Sequence, residues 1–264
     1  MTGNANPLPL ERHRYILGLL GEHGVLRVAE LSELLGVSEV TVRRDLEALE
    51  RKGLLERTRG GAVSVQRMRL ANGYQEAAAR RPEEKRLIGQ TAAALIEPGD
   101  TVVLNEGTTT REVMRHITAP NVTVVTNHAG MASEELPAGV ELILTGGHLR
   151  PDSGGLVGAF ARDTLNRINA NRAFIGVEGV SLQRGLTTPW IPEAEIASLM
   201  IERTRGEVTV VADHSKLGMV GDFVVSGLAA VHRIVIDAGV SDRYHGELQE
   251  IGIEVTIAGE PADE

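Results

Sequence analysis

The apolar residues of this chain change their spacing once, near residue 83, and that change limits the possible folds more than any other feature. Before it they recur every three or four residues, the period of helices. After it they gather into short runs rich in Val, Ile and Leu, separated by stretches of helical period, the pattern of strands alternating with helices. With 264 residues there is room for a small domain and a medium one, each with its own core.

In the first part, Ile16, Leu19 and Leu20 mark a helix over Arg12 to Glu22, with Gly24 as a left-handed stop. Val28, Leu31, Leu34 and Leu35 share one face of a second helix, and Gly36 supplies a sharp turn. Ser38 is a good N-cap for a third helix, Glu39 to Lys52, which turns Val42, Leu46 and Leu49 inward and ends at Gly53. Two short helices joined by a glycine turn and preceded by a third make a helix-turn-helix. Leu54 to Thr58, Gly60-Gly61 and Ala62 to Val65 then predict a hairpin, the wing.

A formal net charge of −9 argues against nucleic acid until its distribution is counted. Residues 1–70 hold 11 Lys or Arg against 9 Asp or Glu, and residues 41–69 hold 8 against 4, so a basic head precedes an acidic body. Thr41, Arg43, Arg44, Glu47 and Ala48 face outward on the third helix. Its N-terminal half is expected to enter the major groove of double-stranded operator DNA, where Arg43 and Arg44 can pair with guanine and the Ser38 and Thr41 hydroxyls can reach phosphate or a base edge. Arg57 and Arg59 on the wing would add phosphate contacts. A basic pair on a helix is by itself common on solvated surfaces.

The run from Val28 to Val63 is more specific. It resembles the helix-turn-helix signature of the DeoR family, in which V-S-x-x-T-[IV]-R-R-D-L opens the recognition helix, here Val37 to Leu46, and R-x-x-G-G-A closes the wing, here Arg57 to Ala62. The family usually has His before the paired glycines, whereas this chain has Arg59. The resemblance implies a winged helix-turn-helix over residues 10–66, a linker over 67–82 and an α/β effector-sensing domain over 83–264.

Seven strands are expected in that last part: Thr101–Leu104, Val122–Val125, Glu141–Leu144, Arg172–Gly176, Val208–Ala212, Arg233–Asp237 and Ile253–Ala258. Helices starting at Glu83, Thr109, Phe160, Pro192 and Ser241 lie between most of them, which predicts a mostly parallel sheet covered on both faces. Asn105 to Thr110 puts a glycine and hydroxyls between a strand end and a helix start, where free N–H groups and the positive helix end favour an anion. Thr126-Asn127-His128, Thr145 to Arg150 and Asp213 to Lys216 also follow strands and can converge on one crevice.

These loops resemble the DeoR sensor domain, whose sheet is related to ribose-5-phosphate isomerase and which generally responds to phosphorylated sugars. The resemblance implies that Gly107, Thr108 and Thr109 hold a phosphate and Lys216 complements its charge. It also implies that Asn127, Gly146, Gly147, Arg150 and Glu193 line the sugar side, with Asp213 beside Lys216. The family commonly has Asp where this chain has Asn105, which bears on the sugar recognised.

The expected function is a transcription regulator, a repressor of carbohydrate genes released from its operator by a phosphorylated sugar. A homo-dimer or tetramer would space the DNA-binding heads. The alternative is a sugar-phosphate isomerase carrying a DNA-binding head. Glu178, Glu193 and Asp213 could supply a base, but Glu178-Gly179-Val180 lacks the second carboxylate of the isomerase loop, so no catalytic residue is assigned. His128, His148 and His214 lack the i, i+4 spacing of a helical metal pair, and neither metal nor cofactor is expected. Without cysteine there is no disulfide or thiolate site. The absence of an apolar run of roughly 18 residues or a leader-like start predicts a cytoplasmic protein without membrane contact.

Overall fold

The computed structural model describes residues 8–23, 25–58, 60–64, 66–67 and 74–259. Helices α1 (Pro9–His23), α2 (Val28–Leu35) and α3 (Glu39–Arg51) pack around Ile16, Leu20, Leu31, Val42, Leu46 and Leu49, the residues whose spacing predicts them. Gly36 makes the turn with φ 63, and the Ser38 hydroxyl accepts from the Thr41 N–H to cap α3. The wing has three strands, not two. β2 (Leu55–Arg57) and β3 (Gly61–Ser64) form the hairpin, and β1 (Val25–Arg27) pairs with β3 on its other edge. Gly24, Arg59 and Val65 lie outside the described residues.

Residues 67–82, read from sequence as a linker, hold more structure than expected. β4 (Gln66–Arg67) pairs in parallel with β14 (Met219–Val220), and α4 (Tyr74–Ala79) precedes α5 (Pro82–Ala93).

The larger sheet has β5 (Thr101–Leu104), β6 (Val122–Thr126), β7 (Val140–Leu144), β10 (Ala170–Gly176), β13 (Thr204–Val211), β16 (Arg233–Ile236) and β17 (Glu254–Ile257). Their order is β17-β16-β13-β10-β5-β6-β7, with every neighbouring pair parallel. Strand residues alternate between two cores. Val102, Leu104, Val124 and Phe174 meet α5 and α6 (Thr108–Arg115). Val103, Val125, Ala173 and Ile175 meet α7 (Ala159–Leu165), α8 (Ile191–Glu202) and α9 (Asp242–Glu250). Burial on both faces is why these strands read as unbroken apolar runs.

Two small additions sit at the carboxyl side of the sheet: a hairpin of β8 (His148–Leu149) and β9 (Leu156–Val157), and a three-stranded sheet of β11 (Gly179–Ser181), β12 (Gly185–Thr188) and β15 (Phe223–Ser226).

Candidate functional site

Two places concentrate polar side chains. The first is the exposed face of α3. Arg43 and Arg44 are both exposed there, but the Arg43 guanidinium is held by Glu39 at 2.7 Å, while Arg44 makes no ion pair among the described residues. The Ser38 and Thr41 hydroxyls lie 3.0 Å apart, so each already has a local partner. Arg57 does not project freely from the wing: it lies 3.1 Å from Glu47 and 4.0 Å from Glu50, bracing β2 against α3. Its guanidinium is thus shared with two partly exposed glutamates beside α3, and Arg59 lies outside the described residues.

Asp45, within the same motif, is buried rather than exposed. It accepts from Arg12 Nε at 2.7 Å and Nη2 at 3.0 Å, and His13 Nε2 lies 3.1 Å away, so it fastens α1 to the recognition helix. Its position between Leu46 and the outward arginines was the available sequence signal.

The second place is a cleft of about 190 Å³ at the carboxyl ends of β5, β10 and β13. It brings together six of the residues expected there: Gly107, Thr108, Thr109, Glu193, Asp213 and Lys216. Gly107 caps the amino end of α6, so the helix start opens into the cleft. Lys216 makes no ion pair within 4.0 Å among the described residues, although it stands close enough to Glu178 to oppose the rise in that carboxyl's pKa.

Other expected residues act differently. Asn105 does not line the cleft. Its amide donates to Gly176 O at 2.9 Å and accepts from Gly176 N at 2.7 Å, clamping β5 to β10. Asn127 is fully buried, accepts from the Glu106 N–H at 2.9 Å and donates to the Glu106 carboxylate, so it holds a lining residue rather than being one. Arg150 lies 3.1 Å from Glu193 and 4.6 Å above the Trp190 ring centroid, fixing the Glu193 carboxylate from behind. Gly146 and Gly147 border a separate depression beside Phe160. At Gly147, φ is 120 and a Cβ would stand 2.6 Å from Val157 O, so this glycine serves the close approach of β8 to β9.

Sequence reasoning missed several lining residues. Glu106 lies within the anion turn, before its glycine, and Tyr74, Arg80 and Arg81 belong to the segment read as linker. Lys85, at the start of α5, is buried. Burial lowers the Lys85 pKa, with Asp213 opposing it. Burial also raises Glu106 well above the usual carboxylate range, reinforced by Glu193, and raises Glu178 and Glu193. The cleft thus sets the cations Lys216, Arg80 and Arg81 and the amino end of α6 beside three carboxyls whose pKa burial raises, an arrangement able to take an anionic group at the helix start.

His128 and His214 do not assemble with other residues into a metal site: no group of three such side chains is placed to hold an ion among the described residues. The His128 ring packs against that of Tyr74, tilted by 41° with centroids 4.8 Å apart, and His214 lies 2.6 Å from Asp237. No helix among the described residues is long and apolar enough to cross a membrane.

Comparison with known proteins follows the same division. The family model of the DeoR-like helix-turn-helix domain matches residues 12–68, and that of the DeoR C terminal sensor domain matches residues 80–238. The HTH-type transcriptional regulator GlpR of Haloferax volcanii is 35% identical over 94% of this chain and 97% of its own length. The HTH-type transcriptional repressor GlcR of Bacillus subtilis is 32% identical over 94% of this chain and 95% of its own. A solved structure, ribose 5 phosphate isomerase A from Neisseria gonorrhoeae, overlaps 51% of this chain and 53% of its own at 12% identity and a TM-score of 0.37, too partial to bear on ligand or activity.

Proposed function

The chain belongs to the DeoR family of helix-turn-helix transcription regulators, and from that premise we propose that it represses carbohydrate genes and leaves its operator when a phosphorylated sugar fills the sensor cleft. Arg44 is the side chain on α3 best suited to read guanine, since Arg43 and Arg57 are engaged by glutamates. Ser38 and Thr41 set the start of that helix, so their hydroxyls position it against the backbone of the DNA. Dimers or tetramers formed through the sensor domain would pair two heads on one operator.

The observation that carries the effector reading is the convergence of the α6 amino end, Lys216 and Arg81 on one cleft. Helix-end attraction contributes roughly 0.3–1 kcal/mol, up to about 2, and a charged hydrogen bond from Lys216 about 1.5–3. A phosphate group therefore supplies about 2–5 kcal/mol of binding. Glu193, held by Arg150, and Glu106, held by Asn127, would meet sugar hydroxyls.

Titration calorimetry with pairs of phosphorylated and parent sugars tests this. A phosphorylated sugar is expected to bind at least about tenfold more tightly than its parent, and Lys216→Gln is expected to remove most of that difference. Equal affinities for a phosphate and its parent would overturn the reading.

A further inference from the structure

The cleft and the DNA-binding domain share a short physical connection. Glu56 lies on β2 of the wing, is only 6% exposed, and its partners come from the sensor domain. Its carboxylate accepts from Ser181 Oγ at 2.6 Å and from Arg184 Nε at 3.0 Å. Ser181 ends β11, and Arg184 sits in the turn leading to β12.

Both ends of this hairpin run into the cleft. Glu178, directly before β11, lines it, and so do Pro189 and Trp190, directly after β12. Lys216 also lines it, and the next residue, Leu217, bridges to Val180 of β11. β14 follows at once and pairs with β4, the strand that leaves the wing.

The hairpin has no slack against these neighbours. A Cβ at Gly179 would stand 2.4 Å from Met219 O, so β11 lies directly on β14. Tyr244 of α9 donates its hydroxyl to Val180 O at 2.8 Å and accepts from Gly218 N at 3.2 Å. Its neighbour Arg243 lies 2.9 Å from Glu30 of α2 and 3.2 Å from Val25 O. Closely packed elements of this kind shift as units rather than deform.

We propose that the Glu56 carboxylate, gripped by Ser181 and Arg184, is the coupling residue between effector cleft and DNA-binding wing: a ligand that repositions Glu178 or Trp190 moves the β11–β12 hairpin, and the hairpin moves the wing. The proposal rests on the assignment of the cleft as the effector site. Glu56 has a positioning role and touches neither DNA nor ligand.

Binding linkage is reciprocal, so DNA bound to α3 must alter the hairpin as surely as effector does. This permits a test without a known effector. Hydrogen exchange of the full chain is followed with and without a duplex of its own upstream region, for wild type, Glu56→Gln and Arg184→Gln. In wild type, DNA is expected to change exchange of the amides over 176–190 by about fivefold or more. Both variants are expected to bind the duplex within a few-fold of wild type and to lose that change. Arg184 is a largely exposed side chain on the sensor side, so its replacement leaves the wing and its core intact. A hairpin in wild type that does not respond to DNA, or one that still responds in Arg184→Gln, would overturn the proposal. Failure of every sugar phosphate to bind would instead undermine the effector assignment and leave this measurement readable.

Discussion

Asp45 directly follows Arg43 and Arg44, both exposed on α3, yet its own side chain is buried against α1 with Arg12. Removing one partner of a buried ion pair leaves the other charge without compensation, at a cost of about 3–5 kcal/mol. Asp45→Ala is therefore expected to unfold the N-terminal domain at much lower urea than wild type while the sensor domain keeps its own transition; a single unshifted transition would contradict this. Two buried groups of the sensor domain, His128 and Glu106, have titrations set by burial. The His128 pKa is lowered to about 4 by burial, with Arg111 adding to it, so folding favours the neutral ring. Its contribution is intact above its ordinary value near 6.5 and is lost as pH falls toward about 4. His128→Gln is expected to remove the fall in urea midpoint across that window. Glu106 acts oppositely: its raised pKa means the fold holds the proton more tightly, so stability declines as pH rises out of the ordinary carboxylate range. Glu106→Gln, which keeps an acceptor for Asn127, is expected to raise the midpoint at about pH 8 and change it little below about pH 4. At this scale the sequence was legible where a motif fixed both residue and neighbour, as at Gly107, Thr108 and Thr109. It was not legible where a partner came from far along the chain, as with Asn105 and Gly176 or Glu56 and Ser181.

Elements were legible in proportion to their length and local signals. All seven strands of the large sheet appear within a few residues of their expected bounds, because Val, Ile and Leu runs ending at Asn, Gly or Asp carry both the propensity and the stop. The Glu39 start of α3 is likewise written locally, in Ser38 and its bond to Thr41. Ser38→Ala is expected to cost about 1 kcal/mol of stability in the N-terminal domain and to weaken DNA binding in step, as read by thermal melting and anisotropy. Outside the wing hairpin, short strands were not legible: β1, β11 and β14 have two or three residues each and exist because a partner edge is present, which no local pattern records. The same holds for α4, a single short helix whose side chains find their place on the cleft rather than in a core.

At the scale of the whole molecule, the acidic body and basic head divide the work between two domains that touch through Glu56, Arg243 and the β4–β14 pair. Arg44→Ala is expected to weaken specific DNA binding by about 1–3 kcal/mol while leaving affinity for a sugar phosphate unchanged; a parallel loss of effector binding would mean the two sites are not separate. Release from DNA by a phosphorylated sugar is tested most directly by anisotropy of a labelled duplex from the chain's own upstream region, at one fixed salt concentration, titrated with protein in the presence of phosphorylated sugars or their unphosphorylated parents. One phosphate is expected to weaken specific binding by about 5- to 150-fold while its parent sugar leaves it unchanged. Specific binding that ignores every phosphate, or that responds equally to the parent sugar, would contradict it.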